Sequence, residues 1–314
     1  MSPIEPDASA AARQEWTSRS IGSSWQHQCF YLMFRCGGRR AAYLLLYCVV
    51  FYYTLLPSVR RKGSYYLNRR FPTAGAWERF CNSYRMTLEL GKVLVDRALV
   101  GILGPKHVQI ELQGKQEFLD LVAEGKGAIL INAHVGCWQV ATSVLGFVET
   151  PINLLMQREE GDIDRHHFEH AGIECPYRII DPRGHLGGVL EMMDVLKRGE
   201  VLSVMGDRML GDDRNGVEVE FMGGTVTFPF SAYKLASATG APIVVLLSYK
   251  VGPDSYELKL YRTIRVPAGL GRGKDKFIPY TQEFAETLEG FCREHPFQFF
   301  NFFDMWQNSP NNQT

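Results

Sequence analysis

The sequence has no excess of charge of either sign: lysine plus arginine and aspartate plus glutamate stand at 34 each among 314 residues. That balance supplies no global basic field, so a nucleic-acid partner is not expected. Cysteine is present seven times, but no Cys-x-x-Cys pair occurs, the spacing is irregular and the number is odd. Neither a zinc site nor a disulfide framework fits that pattern, no metal is expected, and a reducing, cytoplasm-facing location follows. No uncharged apolar run reaches the ~20 residues that a bilayer-spanning helix needs. Residues 1–28 are polar and lack a small-residue cleavage pattern, so no cleavable leader is indicated, and no internal repeat is visible.

One absence is local. Between Arg35 and Arg70 there are eight basic residues and no acidic one. Inside that stretch lies Ala41–Leu56, AAYLLLYCVVFYYTLL, with Arg39 and Arg40 before it and Arg60, Arg61 and Lys62 after it. As a helix this sixteen-residue run would be about 24 Å long, short of the ~30 Å hydrocarbon core. Its four tyrosines suit an interface better than a bilayer centre, and its arginines suit anionic lipid. The reading is an N-terminal membrane anchor, lying in the plane or steeply tilted; the competing reading is a buried core helix. This gives four regions: 1–34 poorly ordered, 35–62 anchor with basic flanks, 63–308 one domain, and 309–314 a tail.

With 46% hydrophobic and 22% charged residues, the remainder is ordinary globular sequence. Helical spacing runs from Trp77 to Leu103. Short apolar runs then alternate with amphipathic stretches: Ala128–Ile131, Ile152–Met156, Arg178–Ile180, Val201–Met205, Ile243–Tyr249 and Tyr256–Tyr261, with helices expected at Cys137–Phe147, His185–Lys197, Phe230–Thr239 and Tyr280–His295. Alternation of this kind indicates an α/β fold with a largely parallel sheet covered by helices.

Chemistry gathers where apolar runs end, as active sites do in open α/β sheets. His134 follows the run ending at Asn132 and can serve as a general base on a hydroxyl. Gly136 and Cys137 sit where a helix would begin, so their N–H groups are candidates for stabilising an oxyanion; Cys137 as a nucleophile is a rival reading. Asp207 and Arg208 follow Met205, and Arg158 follows Met156. Arginine favours planar contacts with phosphate, and the alternative for both arginines is ion pairing with nearby acids. Phe221-Met222-Gly223-Gly224 followed by Phe228-Pro229 reads as a loop leading into a helix.

Taken together, Asn132–Gln139, Gly206–Arg208, Phe221–Gly224 through Phe228-Pro229 to Ala236-Thr239-Gly240-Ala241-Pro242, and His295-Pro296 with Gln298 and Trp306 resemble the lipid A biosynthesis (lauroyl/myristoyl) acyltransferase family, from about Arg35 to Trp306. The charged helix ending Val95-Asp96-Arg97 belongs to the same pattern. The resemblance implies an inner-membrane enzyme at the cytoplasmic face that moves a fatty acyl group onto a lipid or glycolipid. It also implies a mixed sheet covered by helices, an apolar acyl tunnel, and a thioester of acyl carrier protein or coenzyme A as co-substrate, with no other cofactor. The family's motif is a histidine followed, after four residues, by an acid. Here His134 keeps the base position and Gln139 falls on the acidic one. Two expectations follow: either His134 lacks a carboxylate and the acceptor is intrinsically acidic, or Asp207 takes over the orienting role. A degenerate, lipid-binding relative without turnover is the alternative function.

Overall fold

The computed structural model describes residues 24–138, 150–157, 177–184, 188–209 and 215–306. Gln139, Arg158, most of the helix expected at Cys137–Phe147 and most of the segment expected to be disordered lie outside those residues. The chain divides into two compact units, residues 1–42 and 43–314.

Three helices come first: α1 (Ser24–Leu55), which is broken at Gly38 by a left-handed φ of 64°, α2 (Pro57–Arg70) and α3 (Ala76–Leu103). Then follow β1 (Gln109–Gln113), α4 (Lys115–Ala123), β2 (Ala128–Asn132), β3 (Ile152–Leu155), β4 (Tyr177–Ile180), α5 (Val189–Lys197) and β5 (Val201–Met205). The hairpin β6 (Gly216–Phe221) and β7 (Gly224–Pro229), α6 (Ser231–Thr239), β8 (Ile243–Lys250), β9 (Ser255–Ile264) and α7 (Ile278–Glu294) complete the described strands and α-helices. Seven strands form one sheet in the order β1-β9-β8-β2-β5-β3-β4, and all neighbours are parallel except the antiparallel pair β8–β9. The fold is α/β, mixed and mostly parallel, as the alternating runs indicated.

The central strands β2 and β8 are buried at every position, which is why they read as unbroken apolar runs. Their residues divide alternately between two cores. Ile129, Ile131, Leu202, Val245 and Leu247 face a large core with α2, α5, α6 and α7, while Leu130, Val244 and Leu246 meet Phe118 and Leu121 of α4. The edge strand β1 alternates between exposed and half-buried residues, and its sequence, QIELQ, gave no apolar run to find.

The block Phe221–Gly224 is a strand, a two-residue turn and a second strand rather than a loop, and the helix expected after Phe228-Pro229 begins at Ser231. Met222 and Gly223 have φ of 51° and 73°, so both centre residues of the turn are left-handed, the twist that a tight hairpin favours. Methionine is a costly choice at that position, and the turn is held from outside. Met222 N–H donates to Glu289, and the Trp306 indole donates to the Phe221 carbonyl at 3.0 Å while stacking on its ring.

The apolar run 41–56 is divided by burial. Leu46, Val50 and Thr54, spaced by four, are buried on one face, with Leu46 pressed against Gly91 of α3. The other face leaves Leu44 70%, Phe51 51% and Tyr52 62% exposed. No single helix among the described residues is long and apolar enough to cross a membrane; only Gly37–Leu55 with Pro57–Arg70, bent by 90°, meets that test together.

Candidate active site

β2 and β5 are adjacent and parallel, with Asn132 opposite Met205. Two residues beyond each, in step, stand His134 and Asp207. The junction is tied by Gly206 N–H to the Asn132 carbonyl at 2.8 Å and by the Asn132 side-chain amide to the Ser203 hydroxyl at 2.8 Å. Gly206 is required by space: a Cβ there would lie 2.5 Å from Ile131 and 2.8 Å from Phe284.

Asp207 is buried and grips His134 twice. Its carboxylate lies 2.9 and 3.1 Å from Nδ1, and it accepts the His134 backbone N–H at 3.1 Å. Burial alone would raise the Asp207 pKa. The charge and hydrogen bonds of His134, with Arg208 behind, outweigh burial and hold the carboxyl below its usual range. An ionised Asp207 fixes the proton on Nδ1 and leaves Nε2 as the basic nitrogen of a side chain still 26% exposed. The expectation of a base with no carboxylate is therefore corrected: the acid comes from the next strand, 73 residues away. With a carboxylate on Nδ1, nothing about His134 calls for an intrinsically acidic acceptor.

Arg208 turns away from solvent. Its guanidinium donates to the Phe300 carbonyl at 2.8 Å, lies 5.2 Å from the Phe303 ring centroid and approaches Asp207 at 4.0 Å. Burial depresses its pKa, but a guanidinium stays charged at any physiological pH. In this arrangement it binds the chain's own C-terminal segment, at the strand end where the sequence placed it.

The turn after His134 is equally constrained. Gly136 has a φ of 49°, and a Cβ there would lie 2.2 Å from the Ser248 carbonyl of β8. Its N–H donates to the Gln298 carbonyl at 3.0 Å. Gly136 therefore does not direct its N–H at a substrate oxygen here, contrary to the oxyanion role expected for it. Cys137 is fully buried, which leaves its thiol inaccessible as a nucleophile.

The C-terminal segment packs along the same turn. Val135 and Phe299 form an isolated antiparallel bridge, and Phe300 N–H donates to the His134 carbonyl at 2.8 Å. Residues 298–300 thus lie beside the turn after His134 like a short extra strand. Backbone contacts leave little trace in side-chain chemistry, so the sequence could mark this segment only by resemblance.

A second buried polar group sits nearby. Asp96 of α3, fully buried, accepts from Lys250 Nζ, from Tyr256 at 2.7 Å and from Tyr43 at 2.9 Å. Among the described residues no cluster of three or more metal-binding side chains occurs.

A family model of the bacterial lipid A biosynthesis acyltransferases matches residues 28–308, which includes every residue of this site. The chain belongs to that family. Membership makes it an acyltransferase of the lipid A type, with an acyl donor and a lipid acceptor as substrates. No curated protein matches the chain.

Proposed function

We propose that this acyltransferase moves a fatty acyl group from a thioester of acyl carrier protein or coenzyme A onto a hydroxyl or amine of a lipid or glycolipid, with His134 as general base. The observation that carries this reading is the His134–Asp207 pair, in which the carboxylate holds Nδ1 and so fixes the tautomer. Nε2 takes the acceptor's proton as its oxygen or nitrogen attacks the thioester carbonyl. Collapse of the tetrahedral adduct breaks the C–S bond, and the imidazolium returns the proton to the departing thiolate. Asp207 stabilises the imidazolium in between, as the buried acid does in the serine-hydrolase triad. Gln139 then carries no orienting role, and Arg158 remains the candidate for a phosphate of donor or acceptor. Release of thiol from an acyl thioester, coupled to acylation of extracted cell lipids, tests the reading. His134→Ala is expected to lower the rate about 10²–10⁴-fold with the fold intact. A folded His134→Ala protein at near-normal rate would end it.

The same reading places the enzyme at the cytoplasmic face of the inner membrane, in the plane of one leaflet. Support comes from the exposed face of α1, from Trp77, which is 76% exposed and stacked on Phe80, and from nearby cations. Among the described residues Arg60, Arg61 and Lys62 form no ion pair, and Arg60 lies 5.8 Å from the Phe80 ring centroid.

A further inference from the structure

Gln298 joins the turn after His134 to the end of β8, two residues beyond the Ser248 hydroxyl, which donates to the Val135 carbonyl at 3.3 Å. Its amide meets a single backbone unit twice: Oε1 accepts Lys250 N–H at 2.7 Å, and Nε2 donates to the Lys250 carbonyl at 2.9 Å. Only one orientation of the amide satisfies both contacts, so the oxygen and nitrogen positions are fixed by the network itself. The Gln298 carbonyl meanwhile accepts Gly136 N–H at 3.0 Å. Two residues on, Phe300 holds the His134 carbonyl through its N–H and Arg208 through its carbonyl.

The strand end that Gln298 grips is itself immobilised. Lys250 donates to the buried Asp96 carboxylate and to the Pro253 carbonyl at 2.8 Å, and β9 flanks it at Tyr256. A chain of contacts therefore runs from α3 through the end of β8 and Gln298 to the peptide groups on either side of Val135. His134 is anchored at its ring by Asp207 and at its backbone by this chain.

We propose that Gln298 is a positioning residue for His134: by bridging the Lys250 peptide to Gly136 it sets the turn, and so where Nε2 meets the acceptor. The inference rests on the reading of His134 as base, and it asks something separate, whether the turn's position is set from residue 298. An Asn side chain is one methylene too short to span the gap, and Glu supplies only half of the hydrogen-bond pattern while ionised. Misplacement of a reacting group by about 1 Å costs on the order of 10²-fold in rate. The Gln298 contacts run to Lys250 and to Gly136, so a loss transmitted through the turn belongs in kcat, with KM unmoved.

The experiment is a double-mutant cycle on the full-length protein, with acyl thioester turnover and thermal melting read for each variant. Gln298→Ala is expected to lower kcat about 10–100-fold at unchanged KM. Placed on His134→Ala it is expected to cost nothing further, because a residue acting through His134 has no effect once the imidazole is gone. A penalty that persists in the His134→Ala background, or a folded Gln298→Ala protein with normal kcat, overturns the proposal. The base reading stands or falls separately, on His134→Ala alone.

Gln298→Glu covers the case in which Ala loosens the fold. An ionised carboxylate accepts Lys250 N–H but repels the Lys250 carbonyl, whereas a protonated carboxyl both accepts and donates, as the amide does. The ratio of its kcat to that of the unmodified enzyme should rise as pH falls toward the ordinary glutamate value near 4.3. A ratio flat across that range also overturns the proposal.

Discussion

At the scale of single residues, two peptide groups and one carboxylate decide where the imidazole stands. Asp207→Asn keeps the shape but offers an amide where Nδ1–H needs an acceptor. It is expected to lower kcat about 10²–10⁴-fold with little change in KM, read by steady-state thiol release. The same residue links stability to pH. Its folded pKa is depressed, so its contribution is complete above the unfolded carboxyl value and is lost as pH falls through the folded value. The gap in melting temperature between the enzyme and Asp207→Asn should therefore narrow on acidification below about pH 4. Gly136→Ala asks a tighter question. With a Cβ 2.2 Å from the Ser248 carbonyl and a left-handed φ, the turn must move, so a loss of more than about 1 kcal/mol in denaturant unfolding is expected together with inactivity. His134 could be picked out of the sequence because it follows an apolar run. Its partnership with Asp207 could not, because it depends on Asn132 standing opposite Met205, and the neighbours of a parallel strand are not written in its own residues.

Among the elements, the fully covered strands were the plainest to read, although the half-exposed β4 and β9 were also legible. β2, β5 and β8 are covered on both faces and announced themselves as apolar runs, whereas edge strand β1 and the half-exposed hairpin β6–β7 did not. In the hairpin the glycines of Phe221–Gly224 suggested a loop, and the left-handed Met222 that completes the turn is a residue no propensity favours there. The apolar run of α1 posed a choice between anchor and core, and burial divides it into a covered face and an exposed one. That division can be measured. Phe51→Ser with Trp77→Ser is expected to weaken co-sedimentation with vesicles containing anionic lipid while leaving the melting temperature nearly unchanged. Leu46→Ser should do the reverse, since Leu46 lies buried against Gly91. Vesicle binding by the Phe51/Trp77 double variant as strong as that of the unmodified protein would remove the exposed face from the account.

Across the whole second unit, the Asp96–Lys250 pair connects the helices that precede the sheet to the strands that end it. Breaking a buried pair from one side leaves a charge without its counterpart, and Asp96→Asn is expected to cost about 3–5 kcal/mol by denaturant unfolding. Replacing both partners, as Asp96→Leu with Lys250→Met, should recover much of that loss. A double variant as unstable as the single one would mean that Tyr43 and Tyr256, rather than the charge, govern the site.

Synthesis proceeds from the N-terminus, and the contacts of Asp96 acquire a temporal meaning from that. Residues 43–103 leave the ribosome before β1 exists, and Lys250 and Tyr256 follow only some 150 residues later. Throughout that interval the nascent helices carry apolar side chains on two faces, one destined for the sheet and one left open in the finished protein. A chain in that state is prone to aggregate, and an early encounter with a lipid surface would shield the open face while the other waits for its strands. The turn after His134 waits longer still: residues 298–300, which hold its peptide groups, follow it by more than 160 residues, so its backbone contacts form only after β8 and β9 have been made.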